Sequence, residues 1–308
     1  MSATPANIPT CLFCGDTKTT FTCFEDAVFN NKTFQYLKCC NCDLIYVYPS
    51  PTDEDLMKMY PVEYQGAFTE KGTGRYTTLF KQIRDLGTFK TVLDYGCGGG
   101  RFVVEAIDEK YEVVGAEYNP ALVANLKSAF PSASFQTIND LFASQQKFDI
   151  IFLSNVVEHL TQPKETMLQL MQHLNDNGIF VLEGPVENNF NLTLLTRKTL
   201  FFIRKYLFHK KAYHTPTHLL YSNRKNQEQL FKDVGLTTLF YTVDESNWPF
   251  PSALSECKST MQKLMYYIAT FSVKMSKHFS FWGNNFTYIG KKRLAKFYYT
   301  LSIIRIAA

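Results

Sequence analysis

No stretch of this 308-residue chain reaches about 18 uninterrupted apolar residues, so the sequence carries no signal for a membrane-spanning helix. Its first ten residues, MSATPANIPT, contain neither a basic nor an apolar leader region. No secretory signal is therefore expected, and a cytoplasmic location is. Internal repeats and low-complexity tracts are missing too. Acidic residues are absent from two whole segments. Residues 188–227 hold eight Lys/Arg and no Asp/Glu, and residues 257–308 hold nine Lys/Arg and no Asp/Glu. Together these segments carry +17 against a whole-chain charge of +4, which leaves −13 on the remainder. With 45% hydrophobic and 19% charged residues, wholesale disorder is excluded and a large core is affordable in chain length.

Cysteine is concentrated rather than scarce. Six of the eight cysteines fall in the first 42 residues. Cys11/Cys14 and Cys39/Cys42 each have C-x2-C spacing, and each pair can present two thiolates from a tight turn to one tetrahedral ion. In a chain without a leader, zinc is favoured over disulfides. Four thiolates would close the site, so the expected Zn2+ is structural. Cys40 sits beside the second pair and competes for the fourth position, while Cys23, Cys97 and Cys257 read as packed thiols.

Residues 1–50 read as a small zinc ribbon containing FQYLK and LIYVY strands. Residues 51–89 form a linker with short helices, one of them over 75–87 and closed by Gly87. A regular alternation follows: strands at 91–95, 112–117, 134–138, 148–155 and 178–184. Helices are expected at 101–109, after Asn119-Pro120, and after Thr161 with closure at Gly178. FDIIFLSN is apolar enough to be a central strand. Further on, a helix over 226–235, a strand over 236–243, a helix over 254–278 and a strand over 284–290 are expected. Such alternation predicts an α/β fold with a mostly parallel sheet covered by helices on both faces.

The first of these strands ends in Asp94-Tyr95-Gly96-Cys97-Gly98-Gly99-Gly100. The dinucleotide pattern G-x-G-x-x-G fails, because counting from Gly96 puts Arg101 at its last position. What remains is D-x-G-x-G-x-G, followed by a second carboxylate, Glu117, at the end of the next strand. VLDYGCGGGRF, VVGAEYNP, FDIIFLSNVVEHL and GIFVLEGPV, in this order, resemble the motifs of class I S-adenosylmethionine-dependent methyltransferases. HLLYSNRKNQEQLFKDVGL resembles a later segment of that family. CLFCG…CCNCDLIYVYPSPTDEDLMKMY resembles the ribbon and linker of a bacterial zinc-ribbon subfamily.

The resemblance implies a Rossmann-like, seven-stranded, mostly parallel sheet over residues 90–290; the charge pattern marks a basic insert at 188–227 within it and a basic-apolar tail at 291–308. It implies S-adenosylmethionine as cofactor, held by Asp94, Gly96, Gly98, Gly100, Glu117, Tyr118, Asp140 and Asn155. Glu117 would accept both ribose hydroxyls. Asp94 would order the loop, and Asp140 would lie near the adenine. His159 and His218 match positions facing the acceptor, and an imidazole there is a candidate general base. Tyr60, Tyr64 and Tyr221 are candidate pocket walls.

The subfamily resemblance points to a small-molecule or carbohydrate-precursor acceptor in glycan or secondary metabolism. The basic segments point to an anionic acceptor, or to peripheral contact with the inner membrane surface. RNA methylation is the weaker enzymatic reading, since no RNA-binding module is recognisable. A non-catalytic cofactor-binding scaffold is the alternative to an enzyme. Oligomeric state is not legible.

Overall fold

In the computed structural model of the chain the described residues are 9–22, 24–62, 74–189, 215–245, 253–279 and 282–293, with Leu195, Thr199, Phe202 and Ile203 between them. Tyr64, most of the basic insert and the tail 294–308 lie outside these residues.

The N-terminal part contains β1 (Thr19–Phe21), β2 (Ala27–Phe29), β3 (Lys32–Cys39) and β4 (Ile45–Tyr48), paired antiparallel through β3. It ends in α1 (Asp53–Met59), whose start is fixed by a capping box between Thr52 and Asp55. α2 (Thr77–Leu86) precedes the main sheet, with Gly87 as its C-cap.

The main sheet is built from β5 (Thr91–Tyr95), β6 (Glu112–Glu117), β7 (Ser134–Thr137), β8 (Phe148–Ser154), β9 (Leu174–Pro185), β11 (Leu236–Asp244) and β12 (Asn285–Lys292). Among the described residues its order is β11-β12-β9-β8-β5-β6-β7. β9 through β7 run parallel, while β12 is antiparallel to both β9 and β11. This is the Rossmann-like seven-stranded arrangement expected from the sequence. Between strands lie α3 (Arg101–Asp108), α4 (Pro120–Ala129), α5 (Ile138–Ala143), α6 (Pro163–Gln172), α7 (Arg224–Asp233) and α8 (Thr260–Ser276). Asn119 caps α4 through the Ala121 N–H, with Pro120 in the first turn.

β8 divides two apolar layers. Ile151 and Leu153 join the layer that also contains Met167, Leu170 and Phe231. Ile150 and Phe152 join the other, with Phe80, Phe102 and Leu126. Burial on both faces explains why this strand is apolar at nearly every position. The N-terminal sheet belongs to the first layer, through Leu44 and Tyr46. Its free edge is completed by β10 (Leu220–Tyr221), which pairs antiparallel with Ile45 and Tyr46 of β4.

Two sequence expectations are corrected. Thr161 does not cap α6; Gln162 is its N-cap and makes no side-chain capping bond. Gly178 does not close that helix, which ends at Gln172, and instead lies inside β9. A Cβ at Gly178 would meet the Asp149 carbonyl at 2.9 Å and Leu174 Cδ1 at 2.7 Å. The glycine serves close packing of β9 on β8 rather than a helix end.

Candidate active site and cysteine cluster

β5 is where the strand order reverses, with β6 on one side and β8 on the other. Open α/β sheets form a ligand crevice at such a point, beyond the carboxyl ends of the strands. A cleft of ≈ 1120 Å³ opens there. On one side it is lined by Asp94, Gly96, Gly98, Glu117 and Tyr118, and on the other by Glu158, His159, Glu187 and His218.

The glycine side is built around Glu117. Its Oε2 accepts from the Gly98 N–H at 2.9 Å and its Oε1 from the Tyr118 N–H at 2.7 Å. Each oxygen thus holds one backbone donor and keeps acceptor capacity toward the cleft. Gly96, with φ +73°, and Gly98, with φ +52°, turn the chain at the end of β5 in the left-handed region. Asp94 is buried; burial and the nearby Glu117 charge push its carboxyl well above the usual range. Burial also raises Glu117. Two desolvated carboxyl groups at one end of a cleft mark it as a candidate binding site.

The predicted cofactor residues separate at this point. Asn155, at φ +53°, lines the cleft. Gly100 is the left-handed N-cap of α3, packed against Leu126 and Phe130. The Asp140 carboxylate closes a capping box instead, accepting from Thr137 Oγ1 at 2.7 Å. Ile138, Asn139 and Phe142 of the same helix line the cleft in its place.

On the opposite side of the cleft, His218 Nδ1 lies 2.6 Å from Glu187 Oε2. The His159 and His218 rings are edge-to-face with centroids 4.9 Å apart. His159 Nδ1 lies 2.7 Å from the Thr217 carbonyl and 3.0 Å from the Tyr60 hydroxyl, which also donates to that carbonyl. Burial and the His218 charge lower His159 to about 4. Glu158 is buried, and burial raises it to about 7. Its Oε1 is a buried oxygen without a hydrogen-bond partner among the described residues, 3.8 Å from His159 Nε2. Ligating atoms of Glu158, His159 and His218 all lie within 4.8 Å of one another.

Sequence reasoning named both histidines and Tyr60 but missed Glu158 and Glu187. Glu158 is adjacent to His159 in VVEHL, which was an available signal. Glu187 meets His218 across 31 residues, with no local pattern to announce it. Tyr221 packs against Tyr36 and Phe24 of the N-terminal part.

A second cluster lies in that N-terminal part. The Sγ atoms of Cys11, Cys14, Cys39 and Cys42 all fall within 4.8 Å of one another. Cys11 and Cys42 are 3.5 Å apart, and Cys14 and Cys39 3.6 Å apart. A tetrahedral Zn–S site with bonds of about 2.3 Å has S···S edges of about 3.8 Å, so the set fits such an ion closely. Cys40 is exposed and outside the cluster.

A Rossmann-like sheet with a glycine turn after its first parallel strand and an acidic residue ending the second defines a nucleoside-binding enzyme fold. Residues 68–239, more than half the chain, match the family described as methyltransferase domain. The chain belongs to that family and contains a class I S-adenosylmethionine-dependent methyltransferase domain. It is similar to the ubiquinone biosynthesis O-methyltransferase of Rickettsia typhi, 26% identical over 99 residues that make up 30% of this chain and 39% of that one. It is also similar to the tRNA U34 carboxymethyltransferase of Campylobacter jejuni, 26% identical over 120 residues, 36% of this chain and 40% of that one. The chain thus spans about two fifths of the length of these curated relatives. A solved S-adenosylmethionine-dependent methyltransferase from Archaeoglobus fulgidus aligns with 70% of this chain and 92% of its own, at 18% identity and a TM-score of 0.46.

Proposed function

We propose that the protein transfers a methyl group from S-adenosylmethionine to a small-molecule or carbohydrate-precursor acceptor of anionic character. The observation that carries this reading is the His218–Glu187 pair, set across one cleft from the Glu117 glycine turn. When bound, S-adenosylmethionine supplies an electrophilic methyl group on a sulfonium leaving group. The chain's residues do the rest. Glu117 and the Gly96–Gly98 backbone hold the nucleoside end, and Asp94 faces the cationic amino acid end. Held through its Nδ1 contact with Glu187, His218 is the base that would take the acceptor's proton. Glu187 fixes the tautomer and steadies the imidazolium that forms. Tyr60 and His159, tied to the Thr217 carbonyl, wall the acceptor. Arg75 and Arg101 also line the cleft and supply cationic partners for an anionic group.

Cys11, Cys14, Cys39 and Cys42 hold a structural Zn2+ in the same proposal, with no open coordination position for chemistry.

Labelled-methyl transfer into a fractionated cell lysate tests the reading. Label in the glycan-precursor or small-molecule fraction supports it. Label in RNA moves the acceptor to nucleic acid, and no label from a fully folded protein refutes turnover. His218→Ala is expected to lower turnover about 100- to 10,000-fold while leaving S-adenosylmethionine affinity in place.

A further inference from the structure

The buried positions of α8 are small residues, while several of its large ones are exposed. Ala269, Ser272 and Ser276 are its buried positions. Ser272 Oγ accepts from Trp282 Nε1 at 2.9 Å, and Ser276 Oγ accepts from the Glu245 N–H at 3.3 Å. Facing away from them, Leu264, Tyr267 and Phe271 are 53%, 59% and 55% exposed. Separated by three and four residues, they form one stripe along the outer face of the helix. Met261, 66% exposed, adds to the apolar surface in the first turn. A soluble helix normally orients itself the other way, so this face is built to be covered.

The charge around the stripe says by what. At 100° per residue, Lys263 and Lys274 fall along one flank of it, and Lys258 and Lys277 bracket the helix; all four are exposed. No Asp or Glu occurs from residue 257 to the end of the chain. An apolar face with aromatic residues, bordered by lysines whose stems can lie along it, is the pattern of a helix lying in a lipid–water interface. A second copy is a poor occupant, because a two-fold contact would set Lys263 and Lys274 against their own counterparts with no acid to offset them.

We propose that the outer face of α8 docks on an anionic lipid bilayer, with Leu264, Tyr267 and Phe271 inserted and the flanking lysines on the headgroups. The sequence offers membrane contact as one alternative for the insert and tail; the proposal places it on this helix. Ser276 ties the end of α8 to Glu245, next to the end of β11, and Asp244 pairs there with Asn285 at the cleft. Docking would therefore bring the cleft rim close to the bilayer surface.

The test is cosedimentation of the full-length protein with phosphatidylcholine vesicles and with vesicles also containing phosphatidylglycerol. Pelleting is expected with the anionic vesicles and should weaken as salt is raised. Lys263→Glu with Lys274→Glu is expected to lower the partition coefficient at least about tenfold. Tyr267→Glu with Phe271→Glu is expected to abolish pelleting while the far-ultraviolet circular dichroism spectrum stays unchanged. If the charged pair fails to fold, Tyr267→Ser with Phe271→Ser makes the same comparison. Equal pelleting on neutral and anionic vesicles, or pelleting unaffected by these substitutions, overturns the proposal. So does a concentration-dependent dimer, seen by light scattering and dissolved by the same substitutions, from a protein that binds no vesicles.

Discussion

Gly96→Ala tests the packing logic of the glycine turn most directly. A Cβ at this position would stand 2.6 Å from Val156 Cγ2 and 3.3 Å from Val156 Cγ1, and φ is +73°. The left-handed backbone alone costs an alanine about 1–2 kcal/mol. The collision adds about 1–3 kcal/mol, because Val156 is itself buried and has little room to yield. The expected loss is therefore about 2–5 kcal/mol, a large share of the stability of an ordinary domain. Urea unfolding followed by circular dichroism measures it. The two parts are separable, since Val156→Ala removes the colliding methyl groups but leaves the backbone angle alone. The double variant should be more stable than the sum of the single changes by about 1–3 kcal/mol, and should fold even if Gly96→Ala alone does not. A wild-type unfolding midpoint for Gly96→Ala, or strictly additive costs in the cycle, would refute the reasoning. Val156 directly precedes the turn Val157–His159, so the single variant should also disturb the acceptor side of the cleft.

Other expectations concern charge and metal. Glu117→Ala removes the proposed acceptor of the ribose hydroxyls and strands the Gly98 and Tyr118 N–H groups; S-adenosylmethionine should bind about 100-fold more weakly or worse, and an unchanged affinity by calorimetry sinks the assignment. Glu158 and His159 pull stability in opposite directions with pH. Raised from 4.5 to about 7, Glu158 contributes stability below pH 4.5 that is lost as pH rises through 7. Lowered from 6.5 to about 4, His159 contributes stability above pH 6.5 that is lost as pH falls through 4. The two slopes, each about 1.4 kcal/mol per pH unit at most, offset one another between pH 4.5 and 6.5. Denaturation of His159→Gln should show stability falling as pH rises through that window, and Glu158→Gln the reverse; identical profiles for both variants would contradict the burial argument. Elemental analysis should find one zinc per chain, lost in Cys11→Ser, and a folded metal-free wild type would contradict the structural site.

Much of the main sheet was legible because local signals agree there. TVLDY, EVVGAE and FDIIFLS are apolar runs bounded by turn residues, and each forms the strand its pattern announces. The failures were places where one residue type serves two purposes. Gly178 read as a helix stop because the contact it permits, with the Asp149 backbone, is made to another strand. Asp140 stands three residues after Thr137, and its carboxylate caps α5, a role its place after a strand did not announce. The partnership of Glu187 with His218 depends on how β9 and the segment before β10 return to the same end of the sheet, which no window of sequence contains. The inverted faces of α8 were hidden for a related reason: large and small residues alternate around the whole helix, and only its neighbour β11 decides which side is inward.

The two-residue strand β10 links regions that sequence reading treats as separate. Its preceding residues carry His218; Leu219 donates from its N–H to the Glu158 carbonyl at 2.8 Å and accepts from the Val47 N–H of β4 at 2.9 Å. Asn226 Nδ2 reaches the Cys42 carbonyl at 3.2 Å, and Asn188 Nδ2 the Asp43 carbonyl at 2.8 Å. The cysteine-bearing sheet is thus a splint for the His218 wall of the cleft and not a portable module. Transplanting residues 1–50 onto another methyltransferase would leave β4 with an open edge, and excising them would leave the His218 segment without its track.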